Sequence, residues 1–346
     1  MHLPLLVLGL AFLAKFADLF VDGAAKVAAR LRVSTVVTGA LIIGFGTSAP
    51  ELVVSTLTML TKGTEGTALA MGNIVGSNVA NLMLVLPIPA LIFGSMTLPT
   101  LVFGSVGIEK GVKRQAVLFG WVKSRAANPS AMVMSQAALS AFGVTVFAAL
   151  VFFVEPSRWW GGVLLALMFG AFGLIYWLGD RFGGVPPPDT TEGLEPWVST
   201  VAGLVGTVGF AYLVVWSATS IADDMGWTGG FVGFALVAVG TSLPELVTVL
   251  AAARRGESGL IIGNLLGSNL FNSLMVGAAV FLTGRVTPYD EVSGLPGASL
   301  LLMVAASWIV IVFMRTGRRI GRIEAACLII VYAGFLGWLA ANFATA

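Results

Sequence analysis

The sequence predicts an all-α integral membrane protein: ten transmembrane helices arranged as two inverted five-helix repeats, with both termini outside. Three observations carry this expectation. The 346 residues are 57% hydrophobic and only 10% charged, with a mean hydropathy of +0.95, whereas a soluble domain carries roughly 25% charged residues. The apolar runs approach the ~20 residues that cross a bilayer as helix, and the alternating short segments of a membrane barrel do not occur. Finally, two polar blocks recur in the same order in the two halves of the chain.

Charge clusters and Gly/Pro-rich breaks divide the chain into ten spans, at 3–22, 33–61, 67–93, 131–153, 160–179, 197–221, 229–253, 258–283, 297–314 and 323–343. The first is read as a spanning helix rather than a cleaved signal, because no basic region precedes Leu3 and the apolar pattern continues to Val21. Several spans exceed 20 residues, which tilt or a broken helix absorbs. Trp159, Trp160 and Trp197 stand at span ends and read as interfacial anchors. Residues 94–130 mix apolar residues with five basic ones and read as a cytoplasmic insert, either a helix lying on the anionic inner leaflet or an irregular loop. The first five-helix repeat is then 1–179, a Pro-rich acidic linker occupies 180–196, and the second repeat is 197–346.

Basic residues fix the expected orientation. With the N-terminus outside, the inside loops hold 15 of the 19 Lys and Arg residues, the outside loops hold only Lys62, Arg158 and Arg285, and Lys15 lies within a span beside its expected partner Asp18. This asymmetry is the positive-inside pattern. Cys327 is alone, so no internal disulfide forms, and His2 is the only histidine, which removes histidine-based zinc sites and buried histidine relays.

The repeat is explicit. Residues 46–53, G-T-S-A-P-E-L-V, match 240–247, G-T-S-L-P-E-L-V, and 72–81, G-N-I-V-G-S-N-V-A-N, match 263–272, G-N-L-L-G-S-N-L-F-N. Five spans per half is an odd number, so the halves run in opposite directions, the inverted arrangement of secondary transporters with a site near the midplane.

Each block places helix-breaking and cation-liganding chemistry at membrane depth. Pro50 and Pro244 have no N–H and clash with the carbonyl four residues back, so the Gly46 and Gly240 carbonyls lose their helical partners. Freed carbonyls in a membrane need protein, water or a cation. Thr47, Ser48 and Glu51 share a broad helix face, as do Ser77, Asn78 and Asn81, with Thr241, Ser242, Glu245, Ser268, Asn269 and Asn272 as counterparts. The set is all oxygen, without sulfur or imidazole, and suits hard cations such as Ca²⁺ or Na⁺.

Glu51 and Glu245 bring two negative charges with no Lys or Arg in either block. Unpaired charges in hydrocarbon are costly, so a cation or protons must compensate them. One Ca²⁺ does so, as do monovalent cations or two protons, and mutually exclusive occupancy is the physical basis of exchange. A lone membrane Ser often bonds its own helix, and a lone Asn often ties helices together; the duplication speaks against that blander reading. Two buried acids also permit an intramembrane acid hydrolase, which leaves the paired Ser/Asn sets and the kinks unexplained.

G-T-S-x-P-E with G-N-x-x-G-S-N-x-x-N in both halves resembles the two alpha-repeats of the sodium/calcium exchanger family, within the cation/calcium antiporter superfamily, in its prokaryotic type. The stretch Ala17-Asp18-Leu19-Phe20-Val21-Asp22-Gly23-Ala24 resembles the family's usual first helix. The resemblance implies a Ca²⁺/Na⁺ antiporter of a prokaryotic inner membrane. It implies that Glu51 and Glu245 bind Ca²⁺ with the Thr47 and Thr241 carbonyls. Ser48, Ser77, Ser242 and Ser268 would line flanking Na⁺ sites, with Asn81 and Asn272 completing the centre. Some archaeal members carry Asp where Asn272 stands, which leaves stoichiometry and K⁺ dependence open. Proton-coupled relatives usually show G-N-x-x-E, so the match favours Na⁺, with Ca²⁺/H⁺ antiport as the alternative. The expected partners are the ions and the lipid bilayer, with no enzymatic cofactor and no nucleic acid. A single chain carries both blocks, which fits a monomer without fixing the oligomeric state.

Overall fold

A computed structural model describes residues 2–31, 33–94, 96–97, 129–182, 195–224, 240–288, 297–317 and 319–344. The cores of the 94–130 insert and of the 180–196 linker, and the start of the 229–253 span, lie outside the described residues. The described chain is helical apart from one two-residue ladder.

The first half opens with α1 (His2–Leu31). A broken segment follows, of α2 (Thr35–Thr38), a π-helical stretch (Gly39–Gly44) and α3 (Phe45–Thr47), continued after Ser48 by α4 (Ala49–Lys62). Then come α5 (Thr67–Ala80), a π turn (Asn81–Val85), α6 (Pro87–Phe93), α7 (Pro129–Phe153) and α8 (Arg158–Phe182). The second half contributes α9 (Pro196–Asp224), α10 (Leu243–Arg254), α11 (Ser258–Phe271), a π turn (Asn272–Val276), α12 (Gly277–Leu282), α13 (Gly297–Gly317) and α14 (Arg322–Ala344).

Among the described residues, seven helices are long and apolar enough to cross a membrane, and eight with the pair Val36–Thr47 and Ala49–Lys62, which bends by 40°. Nine of the ten expected spans coincide with helices along their length. The remaining one, 229–253, is described only from Gly240.

Local structure repeats with the sequence. Ser48 (φ −85°, ψ 6°) and Ser242 (φ −86°, ψ 4°) take the same non-helical conformation. Each is followed by a helix with proline in its first turn, where a missing N–H costs no hydrogen bond. The Gly46 carbonyl is less bare than expected, because the Ser48 N–H turns back to it as well as to Gly44 O at 3.2 Å. Asn81 and Asn272 open equivalent π turns, a geometry frequent at functional sites.

Close helix contact brings the halves together. The broken segment α2–α3 packs on α11, and a Cβ on Gly263 would lie 2.3 Å from the Val36 carbonyl oxygen. Helix α1 packs along α9, where a Cβ on Gly203 would lie 2.4 Å from the Phe20 nitrogen. Only glycine permits backbones to approach this closely. The common core runs through Phe20, Ile43, Ile74, Phe147, Leu265 and Phe271.

Loop contacts fall at two ends. At one, Arg30 pairs with Glu195, Asp22 with Arg255 at 2.8 Å, and strand β1 (Met96–Thr97) with β2 (Arg319–Ile320), Met96 opposite Ile320. At the other, Arg285 Nη1 donates to Leu60 O at 2.9 Å, the Thr287 N–H to Thr67 Oγ1 at 3.1 Å, and Arg158 Nη2 to Thr283 O at 3.2 Å. Lys15 does not pair with Asp18 as expected. It is exposed, and the acid engaged on α1 is Asp22, which meets Lys26 at 2.9 Å one turn along and Arg255. The (i, i+4) acid-before-base order of Asp22 and Lys26 is the better helical geometry.

Candidate cation site

The two helix breaks meet α5 and α11 in the middle of the bundle, and all twelve residues singled out from the sequence are there. Glu51 and Glu245 are each 0% exposed and near enough for the Glu245 charge to act on Glu51. Their surroundings are exchanged between the halves. Thr47 and Ser48 of the first break border Glu245, together with Ser268; Thr241 of the second break borders Glu51, together with Ser77. Ser48 Oγ donates to Glu245 Oε1 at 3.1 Å, and the Ser77 and Thr241 hydroxyls meet at 3.3 Å.

The asparagines divide by use. Asn269 is engaged at both ends of its amide, donating to Asn78 O at 3.1 Å and accepting from Asn81 Nδ2 at 3.1 Å. Asn78 donates to Ser273 Oγ at 2.8 Å. The amide oxygens of Asn78 and Asn81 and the whole amide of Asn272 have no partner.

Two residues missed from the sequence complete the site. Thr47 donates to Asn264 Oδ1 at 3.3 Å, and in the other half Thr241 donates to Asn73 Oδ1 at 3.3 Å. Asn264 also accepts from Ser268 at 3.3 Å and donates to Thr248 Oγ1 at 3.1 Å; Asn73 donates to Ser55 Oγ at 3.0 Å. A signal for them existed. Asn73, Ser77 and Asn81 recur at i, i+4 and i+8, as do Asn264, Ser268 and Asn272, so each set lies along one helix face. Gln136 of α7, which donates to Gly263 O at 3.0 Å, lies outside the repeated blocks.

Orphaned polar atoms concentrate here. Among the described residues, twelve buried side-chain N or O atoms lack a hydrogen-bond partner. Eight belong to this cluster: both oxygens of Glu51, Oε2 of Glu245, Oγ of Ser242, the amide oxygens of Asn78 and Asn81, and both amide atoms of Asn272. Native proteins rarely leave such atoms unpaired, because each costs about 1–3 kcal/mol. Seven of the eight are oxygens, with no basic side chain among the residues of the cluster. The chemistry fits a hard cation.

A helical membrane bundle with broken helices and paired buried glutamates around an oxygen-rich centre defines an ion-transport protein. Residues 1–178 and 195–341 match the sodium/calcium exchanger protein family, and the chain belongs to it. It is 31% identical to the sodium/calcium exchanger MaX1 of Methanosarcina acetivorans, over 96% of each chain. It is 30% identical to the putative antiporter CaxA of Alkalimonas amylolytica, over 95% of each. Its fold matches the sodium-calcium exchanger NCX_Mj, in the structure soaked with zero Na⁺ and Ca²⁺, with a TM-score of 0.75 and 25% identity over 98% of each chain. The protein is a membrane cation/calcium antiporter and not an enzyme, which removes the hydrolase reading.

Proposed function

We propose that the protein exchanges Ca²⁺ for Na⁺ across a prokaryotic inner membrane by alternating access. Ten helices would form two inverted five-helix halves, 1–179 and 197–346, joined by the linker 180–196, with both termini outside. The repeated breaks at Ser48 and Ser242 and the repeated π turns support two equivalent halves. The loop contacts support the grouping of the loops at two ends, since each joins two loops that the basic-residue pattern puts on the same side.

The observation that carries the reading is the pair of buried glutamates, each bordered by hydroxyls from the opposite half. Ca²⁺ would bind between Glu51 and Glu245 with the Thr47 and Thr241 carbonyls. Na⁺ ions would occupy flanking positions lined by Ser48, Ser77, Ser242 and Ser268. Asn81 and Asn272 would complete the centre through their unpartnered amide oxygens, and Asn78 would face it likewise. Asn269, engaged at both ends, would hold the π-turn helices in register rather than take an ion. With neither cation bound, two bare carboxylates would have to cross the low-dielectric barrier, so the empty carrier stays put and transport is coupled.

The test is Ca²⁺ uptake into proteoliposomes loaded with Na⁺ and diluted into Na⁺-free buffer with a protonophore present. Uptake that persists with the protonophore and scales with the Na⁺ gradient is expected. Uptake lost with the protonophore and restored by a pH gradient would instead establish Ca²⁺/H⁺ antiport.

A further inference from the structure

Three basic residues stand apart from the charge asymmetry: Lys62, Arg158 and Arg285 are the only ones expected in outside loops. They lie far apart in sequence, yet the fold gathers them. Arg285 Nη1 donates to Leu60 O at 2.9 Å, two residues from Lys62, and a Cβ on Gly63 would lie 4.0 Å from Arg285 Cδ. Arg158 Nη2 donates to Thr283 O at 3.2 Å, two residues from Arg285, and its side chain lies over Gly284. All three are exposed, and among the described residues no carboxylate pairs with any of them.

This rim stands at the end of an apolar groove of about 520 Å³. Leu57 and Leu60 of α4, Leu165 of α8, and Ala279 and Leu282 of α12 line it. Leu57, Leu60 and Leu282 are exposed, so the groove opens on the apolar perimeter of the bundle. Thr56 also lines it, with its hydroxyl buried and without a hydrogen-bond partner. Thr56 lies six residues before Lys62, about 9 Å deeper along the helix at about 1.5 Å per residue. A cationic rim above an apolar trough matches, in order, the phosphate and the acyl chain of a phospholipid.

We propose that the groove and its rim hold one anionic phospholipid, its phosphate among Lys62, Arg158 and Arg285 and one acyl chain along α4. Two guanidiniums present planar donors suited to phosphate oxygens. Leu52, next to Glu51, lines the same groove, so the lipid packs against the helix that carries a site glutamate and stabilises its position.

The experiment is native mass spectrometry of the full chain in detergent with phosphatidylglycerol or phosphatidylcholine of identical acyl chains, and separately with soluble glycerol 3-phosphate. One retained phosphatidylglycerol per chain is expected, in preference to phosphatidylcholine. Lys62→Gln should lower its retention about fivefold, the effect of one basic charge at a lipid surface. The triple change Lys62→Gln, Arg158→Gln, Arg285→Gln should abolish the headgroup preference. Ala279→Phe, which fills the groove, should lower retention of both lipids, and Thr56→Phe does the same from α4 if the first variant folds poorly. Folding is checked by monodisperse elution. Equal retention of the two lipids by the wild type, a preference that survives the triple change, groove-filling variants that retain lipid fully, or equal competition by glycerol 3-phosphate would each overturn the proposal.

Discussion

Thr47 donates to the amide oxygen of Asn264 at 3.3 Å across the boundary between the two halves of the chain, and the counterpart pair, Thr241 and Asn73, repeats the contact at 3.3 Å. Each asparagine also reaches the helix that carries its own half's glutamate, Asn264 through Thr248 and Asn73 through Ser55. Asn73 and Asn264 therefore act as positioning residues, holding a helix break of one half against a helix of the other.

Asn264→Ala and Asn73→Ala should each weaken Ca²⁺ binding while leaving the protein folded. A buried hydrogen bond contributes about 0.5–1.5 kcal/mol, so the half-saturating Ca²⁺ concentration should rise by up to about tenfold. Isotopic Ca²⁺ uptake at graded concentrations reads this directly. An unchanged concentration dependence in both variants would remove the asparagines from the site.

Glu51→Gln and Glu245→Gln should each abolish Ca²⁺ exchange, since either change halves the negative charge facing a divalent ion. Neither should unfold the protein, because an amide costs less to bury than an unpaired carboxylate. Full Ca²⁺ uptake by either variant, at normal levels of purified protein, refutes the site.

Ser242 tests ligand against packing. Its hydroxyl is buried without a partner, so Ser242→Ala removes no hydrogen bond and should leave thermal stability unchanged or raise it by about 1 kcal/mol. The Na⁺ dependence of exchange should shift to higher Na⁺. A variant that loses stability with an unaltered Na⁺ dependence would show the hydroxyl to be structural.

Gly203 tests the α1–α9 crossing. A Cβ there would meet the Phe20 backbone at 2.4 Å, whereas a Cβ on Gly209 meets nothing within 4 Å. Gly203→Ala should cost about 1–3 kcal/mol by overpacking, and Gly209→Ala should be neutral or slightly stabilising through helix propensity. Thermal unfolding in detergent compares the two. Equal melting temperatures would mean that the helices separate readily at this point.

Much of the site was legible because its chemistry is costly in a membrane. Glu51 and Glu245 stand out against hydrocarbon, and the prolines one residue before them mark the breaks seen at Ser48 and Ser242. Asn73 and Asn264 shared the helix face of Ser77 and Ser268 and could have been read from it. Gln136 could not, since it lies outside the repeated blocks, on a helix with no carboxylate or proline break to draw attention to it. The expected Lys15–Asp18 pair does not form, because helix spacing brings two charges within reach without fixing where their side chains point. Lys15 is exposed, and Arg255, distant in sequence, reaches the Asp18 carbonyl oxygen and the Asp22 carboxylate instead.

By itself the sequence determined the membrane class, the repeat, the polar blocks and the two buried charges. These follow from hydropathy, from helical spacing and from identity between segments, all of which are properties along the chain. Tertiary structure decided which half serves which. The threonine and serine of the first break border the glutamate of the second half, Asn269 is spent on helix contacts while the Asn272 amide has no partner, and three scattered basic residues gather at the end of one groove. Such pairings depend on how closely glycine faces let helices cross, and a linear spacing rule carries no information about that distance.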